Sequence, residues 1–318
     1  MGNIDMACNQ RYKERMKNKN VIVMIVLSGL ILSLHACSFL PSSPLSTPPD
    51  EPITETQEPI TKKADLPENT PPEVPEPEPL AKIEESSIHG IGSQHKYEFG
   101  VLMTTDKTKP GVPAEWQQLF TQYGGMYVAP TLEKTVYLTF DLGYEAGYTN
   151  SLLDTLKQLH IRGTFFLLGQ YMEKNPAIVK RIVQEGHAVG NHSYYHDSLP
   201  SLTDQAIIED TQKCNQLYHQ LTGKNFRLYR FPKGEFSEYS LSVIQALGYP
   251  SYFWSIAYMD WEKVPGGPDE CYQKVMDHIH PGAIVLMHVV TDDNLLALPR
   301  IVQSLTEQGY TFAGLDEI

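Results

Sequence analysis

Cysteine is scarce in this chain, with four residues in 318. That excludes a small domain built on a disulfide framework. Cys8 and Cys37 lie near the N-terminus, and only Cys214 and Cys271 fall where the composition is globular. Their separation matches no C-x-x-C metal pattern, so they read as two buried or free thiols, with a disulfide in an exported domain as the alternative. Basic residues are also few, 25 Lys and Arg against 38 Asp and Glu. A formal charge of −13 offers no electrostatic footprint for nucleic acid, and no such partner is expected. No apolar run reaches the roughly 20 residues that a membrane-spanning helix needs. The longest, Val21–Leu34, has fourteen.

That short run follows a basic stretch containing Arg11, Lys13, Arg15, Lys17 and Lys19. A basic segment before a short apolar core is the pattern of a secretory signal. Met16 would open such a signal in a more ordinary way than Met1. The run ends in Leu34-His35-Ala36-Cys37, which resembles a lipobox. Residues 1–36 are thus expected to be a lipoprotein signal segment, with Cys37 lipidated. The alternative is an uncleaved anchor helix. Either places the rest of the chain on the outer face of the cell membrane.

Residues 37–88 are rich in Pro, Glu and Thr. Such a segment buries too little apolar surface to offset chain entropy, and is expected to be a disordered tether. Residues 89–134 carry Tyr97, Phe99, Trp116, Phe120 and Tyr127 without a clear period, and are expected to form an N-terminal cap of the catalytic domain. Residues 135–318 alternate apolar strand-like runs with amphipathic helices. Strands are expected at Thr135–Phe140, Gly163–Leu168, His187–Gly190, Arg227–Arg230, Tyr252–Ser255, Ala283–Met287 and Thr311–Phe312. Helices are expected at Asn150–His160, Pro176–Glu185, Thr203–Leu221, Tyr239–Leu247, Glu270–His280 and Leu295–Gln308. Such alternation implies an α/β fold with a parallel sheet, and the strand number fits a barrel. In a barrel the chemistry sits at the C-terminal strand ends.

Polar residues stand at several of those ends. Asp141 follows the first strand, and is either a strand terminator, a helix cap or a catalytic carboxylate. His192 and His196 have the i, i+4 spacing of a metal-binding pair, although exposed His pairs without a ligand are common. Arg230 opens the turn Arg230-Phe231-Pro232-Lys233-Gly234, which could present backbone N–H groups to an oxyanion or be an ordinary loop with a solvated Arg. Asp260 and Trp261 follow a fifth strand. His288 follows a sixth, as a core residue or a catalytic one.

Taken in order, these segments resemble the five motifs of the NodB-type polysaccharide deacetylases, carbohydrate esterase family four. Thr139-Phe140-Asp141 is similar to the first, His192-Ser193-Tyr194-Tyr195-His196 to the second, and Arg230-Phe231-Pro232-Lys233-Gly234 to the third. Asp260-Trp261 is similar to the fourth and Ile284-Val285-Leu286-Met287-His288 to the fifth. Within that family, the stretches Thr139–Tyr148 and Phe253–Trp261 look most like the delta-lactam-biosynthetic de-N-acetylases, which act on muramic acid of spore-cortex peptidoglycan. The resemblance implies a deformed (β/α) barrel that hydrolyses N-acetyl groups of peptidoglycan sugars. N-acetylglucosamine in peptidoglycan or chitin-like oligomers is the alternative substrate, and a catalytically silent glycan-binding domain the alternative function. It also implies a divalent metal, usually zinc, held by His192 and His196, which would make water a nucleophile near neutral pH. Asp141 would be the base, oriented by Arg230, and His288 the acid, tuned by Asp260. The backbone of Lys233 would donate to the oxyanion, and Tyr144 and Trp261 would touch substrate. One departure stands out. Where the family has a second Asp as third metal ligand, this chain has Leu142, which has no donor atom.

Overall fold

The structure, a computed structural model, describes residues 88–318. The expected signal segment, Cys37 and the tether up to residue 87 lie outside the described residues. The chain begins with β1 (Tyr97–Glu98), α1 (Ala114–Tyr123) and β2 (Gly125–Met126). Next come β3 (Thr135–Leu142), α2 (Thr149–Gln158), β4 (Thr164–Leu167), α3 (Gly169–Lys174), α4 (Pro176–Gln184), β5 (Ala188–Asn191) and the long α5 (Asp204–Thr222). The last part holds β6 (Glu235–Phe236), α6 (Glu238–Ala246), β7 (Ser251–Tyr252), α7 (Gly267–His278), β8 (Ala283–Met287), α8 (Asp293–Glu307) and β9 (Thr311–Phe312).

Local chemistry sets these bounds. Pro176 opens α4, where its missing N–H is no loss. The Thr203 hydroxyl caps α5 by accepting from the Ala206 N–H, and Gly223 ends it in a left-handed conformation (φ 74°). Ser237 and Ser240 form a reciprocal cap at the start of α6.

The central sheet runs β5-β4-β3-β8, with β9 beside the start of β3. All these pairings are parallel, as the strand–helix alternation predicts. Single bridges join Asn191 to Tyr229, Tyr229 to Ser251, and Ile256 to Val285. Hydrogen bonding therefore passes from β8 through Ser251–Ile256 and Tyr229 back to β5. The ring is closed on that side by isolated bridges only. The segment before residue 135 is tied into it, because β2 pairs with β7 in parallel.

Two expected strands shrink. Arg227–Arg230 becomes a single bridge at Tyr229, and Tyr252–Ser255 becomes Ser251–Tyr252. Past Tyr252 the backbone changes partner, Phe253 N donating to the Met126 carbonyl and Ser255 N to the Ile284 carbonyl, so no single ladder continues.

Strand alternation divides the buried side chains. Val136, Leu138, Phe140 and Leu142 of β3 join the larger apolar cluster with the helices. Tyr137 joins a smaller cluster with Phe166, Ala188, Leu228, Tyr252 and Ile284. Thr139 and Asp141 share the face of Tyr137, so they stand above that inner cluster. Cys214 and Cys271 are both buried free thiols, in line with the first of the two sequence readings.

Candidate active site

Because the sheet is parallel, residues at the C-terminal ends of β3, β5, the Tyr229 bridge and β8 emerge at one end. These are Asp141, His192, Arg230 and His288. Arg230 is fully buried. Its Nη1 donates to Asp141 Oδ1 and to Thr139 Oγ1, both at 2.8 Å. Its Nε and Nη2 donate to the carbonyls of Tyr252 and Phe253 at 3.0 and 3.1 Å. The guanidinium lies 4.1 Å above the Phe166 ring, a favourable stacking for a planar cation. Of the two sequence readings for Arg230, the solvated one is thereby excluded. Burial alone would raise the pKa of Asp141, but the charge and hydrogen bond of Arg230, together with the neighbouring His192 and His288, outweigh it and hold the carboxyl below its ordinary value.

His192 is also buried, and its Nδ1 lies 2.9 Å from the Arg230 carbonyl. A carbonyl only accepts, so Nδ1 carries the proton and Nε2 presents a lone pair. That lone pair faces Asp141 Oδ2 at 3.6 Å. Burial lowers the His192 pKa despite the neighbouring carboxylate, so the ring is neutral near pH 7. The His196 ring lies 5.1 Å from the His192 ring. Its pKa is lowered to about 4, chiefly by burial.

The loop carrying this pair adopts left-handed conformations at Ser193 (φ 70°) and His196 (φ 65°). Such strain persists only when neighbours fix it. Asp210 on α5 accepts from the backbone N–H groups of Tyr194 and Tyr195 at 2.8 and 3.1 Å. Asn191 accepts from Ser193 N at 2.8 Å, and Ser193 Oγ from His196 N at 2.9 Å.

The residues present suit a cation only in part. Two neutral imidazoles and a facing carboxylate oxygen form an electron-rich cleft. Leu142 pairs with Leu167 on β4 and is 2% exposed within the outer core, so position 142 offers no donor. Among the described residues, no group of three or more His, Cys, Asp or Glu has the geometry of a metal site.

On the other side, His288 Nδ1 donates to Asp260 Oδ1 at 2.7 Å. Asp260 Oδ2 accepts from His288 N at 2.7 Å and from Asn294 Nδ2 at 2.6 Å. Asn294 in turn accepts from the Tyr258 hydroxyl at 2.6 Å. This chain fixes the imidazole and leaves Nε2 as its free nitrogen. Burial disfavours the imidazolium, yet the Asp260 hydrogen bond and charge outweigh it and raise the His288 pKa above the ordinary value. Trp261 is 55% exposed, with its ring 6.2 Å from that of His288. Tyr144 is 73% exposed on the loop after β3. Glu145 secures that loop by accepting from Gly147 N at 2.7 Å, Thr149 Oγ1 at 2.6 Å and Tyr171 OH at 2.7 Å. Lys233 is exposed in a tight turn, at φ 59°.

The structure thus joins Asp141 to Arg230 and His192, and His288 to Asp260 and Trp261. It records no contact of Tyr144 with these groups. Sequence reasoning missed Thr139, Asp210, Glu145 and Asn294. Only Thr139 carried a signal, since it shares the strand face of Asp141.

The polysaccharide deacetylase family matches residues 129–252. The chain is 39% identical over 222 residues to the peptidoglycan-N-acetylmuramic acid deacetylase PdaA of Bacillus subtilis, covering 69% of this chain and 84% of that one. The solved structure of that protein, a family 4 carbohydrate esterase, superposes with a TM-score of 0.69 at 37% identity, over 71% of this chain and 97% of its own. A peptidoglycan-N-acetylglucosamine deacetylase of Bacillus cereus is 32% identical over 221 residues, 68% of this chain and 78% of that one. A family pseudoenzyme from Bacillus anthracis has a TM-score of 0.58 at 32% identity, over 61% of this chain and 68% of its own.

Proposed function

Because this chain belongs to the polysaccharide deacetylase family and is a hydrolytic N-deacetylase, we propose that it removes the acetyl group of N-acetylmuramic acid in peptidoglycan. The observation that carries the chemistry is the placing of an Arg230-bound, buried Asp141 and an Asp260-bound His288 at the same strand end. Asp141 takes a proton from water through Oδ2, while Oδ1 stays bonded to Arg230. The water oxygen bonds to the acetamide carbon. Charge builds on the carbonyl oxygen, which the backbone N–H of Lys233 would stabilise. His288 delivers its Nε2 proton to the leaving nitrogen as the C–N bond breaks, since an unprotonated amine leaves poorly. The products are acetate and a free amino sugar. A divalent ion such as zinc, bound through His192 and His196, would lower the pKa of water.

The test is release of acetate by the purified domain from intact and peptide-stripped peptidoglycan, with identification of the sugar that becomes the amine. Amine on glucosamine alone would move the substrate to the alternative. Full activity in a chelator-treated, metal-free sample would remove the ion from the reaction. The second reading, a silent glycan-binding domain, is favoured by Leu142 and by the pseudoenzyme relative. No acetate from any glycan would leave that reading alone.

Two further outcomes are expected. In Asp260→Asn, burial of His288 is left less opposed, so its pKa falls. The acid form is then lost at lower pH, and the alkaline limb of kcat/KM moves down, with a loss of about tenfold on that side. An unmoved limb would sink the role of Asp260. We also propose that the protein is exported and held at the outer face of the membrane through a lipid on Cys37. A Cys37→Ala chain should lose lipid labelling and processing, and unchanged processing would refute the anchor.

A further inference from the structure

We propose that Asp293 is a positioning residue for glycan binding. Its carboxylate, at the start of α8, fixes the far end of the loop that carries Trp261, so that the indole stands at the mouth of the site. This role rests on the peptidoglycan reading above and deepens it. Trp261 lies between two buried residues, Asp260 at 2% and Val264 at 3% exposure, while Met259, Trp261, Glu262 and Lys263 are exposed. Among the described residues, Met259, Trp261 and Glu262 make no hydrogen bond. The loop is therefore held from its two buried ends. At the near end, Asp260 is bound to His288 and Asn294. At the far end, Asp293 Oδ2 accepts from Val264 N at 3.0 Å, and Oδ1 lies 2.8 Å from Lys263 Nζ. Two consecutive residues of α8 thus grip the loop on both sides of Trp261.

The ordinary role of an Asp in a first helical turn is to serve its own helix N-terminus. Asp293 does not do so. Its carboxylate accepts no N–H of α8, and its remaining partner is Thr291 Oγ1, at 3.1 Å and ahead of the helix. A fully buried carboxylate is costly unless it is paired and hydrogen-bonded. Here every partner but Thr291 belongs to the Trp261 loop. The Trp261 ring stands edge-on to His288, with centroids 6.2 Å apart. A half-exposed indole beside the acid offers a flat apolar face to a sugar ring. With the far end of its loop released, the indole must be ordered by the glycan itself, which weakens binding.

The experiment is a double-mutant cycle in the full chain, read by acetate release from peptide-free glycan strands. Asp293→Ala and Trp261→Ala should each raise KM by about tenfold with little change in kcat. The double variant should be no worse than Trp261→Ala, because Asp293 acts through the indole. The Val264 amide should exchange faster in Asp293→Ala, while the amides of β3 and β8 keep wild-type protection. Losses that multiply in the double variant, a loss confined to kcat, or unchanged Val264 exchange would each overturn the proposal. Asp293→Asn keeps one acceptor for the Val264 N–H and should raise KM by only about threefold. It carries the same cycle if Asp293→Ala does not fold. If wild type releases no acetate, the deacetylase reading fails. The cycle read as calorimetric Kd for the strands then decides the role of Asp293, multiplying losses overturning it and a silent Asp293→Ala in the Trp261→Ala background supporting it.

Discussion

Arg230→Met is expected to destabilise the folded domain by about 3–5 kcal/mol, the loss typical when one member of a buried ion pair is removed. The side chain is fully buried and donates to Asp141, Thr139 and two backbone carbonyls. Methionine matches much of the length and fills the space above Phe166, so the loss reports the charge and hydrogen bonds more than a cavity. Denaturant unfolding should show a lower midpoint at an unchanged slope. The pH dependence should reverse sign. In the wild type the folded pKa of Asp141 is depressed. Its contribution is present above the unfolded carboxylate pKa and is lost as pH falls through the folded value. Without Arg230, burial dominates and the folded pKa rises above the unfolded one. The variant should therefore become relatively more stable as pH falls and Asp141 takes up a proton. Adding Asp141→Leu removes the orphaned charge and should recover part of the loss. A loss under about 1 kcal/mol would mean the pair behaves as an exposed one.

The same pair marks what the sequence could disclose. Asp141, His192 and His288 were legible because each follows a run of apolar residues, and a parallel sheet sends all such positions to one end. The division of β3 into an outer face of Leu138, Phe140 and Leu142 and an inner face of Thr139 and Asp141 follows from the strand period. It also accounts for Leu142, which serves the outer core. The supports were not legible. Asp210 and Asn294 act from helices through hydrogen bonds to groups distant in sequence, and no local pattern marks such partners. Nor did residues 227–230 announce that their strand would contract to one bridge, because that depends on partners in two segments distant in sequence, Asn191 and Ser251. The burial of Arg230 was open for a related reason. Its four acceptors come from β3 and from Tyr252 and Phe253, and only the closed ring brings them together.

Asp141→Asn should reduce acetate release by about 10²–10⁴-fold, the usual worth of a positioned base. Asparagine keeps the shape and one acceptor for Arg230. It removes the oxygen that faces His192 Nε2 at 3.6 Å, where a transferred proton would reside. The depressed pKa of Asp141 and the raised pKa of His288 open a window between them in which the base is ionised and the acid protonated, so the wild-type rate should be flat across mildly acidic pH. Its fall at lower pH reports protonation of Asp141. The residual rate of the variant should lack that acid limb and keep the alkaline limb set by His288. Because Arg230 loses its counter-charge, the variant must be assayed where circular dichroism shows it folded. With that control, a rate within about threefold of wild type would show that another group removes the proton. The base would then have to be sought at His192, whose lone pair faces the same point in the cleft.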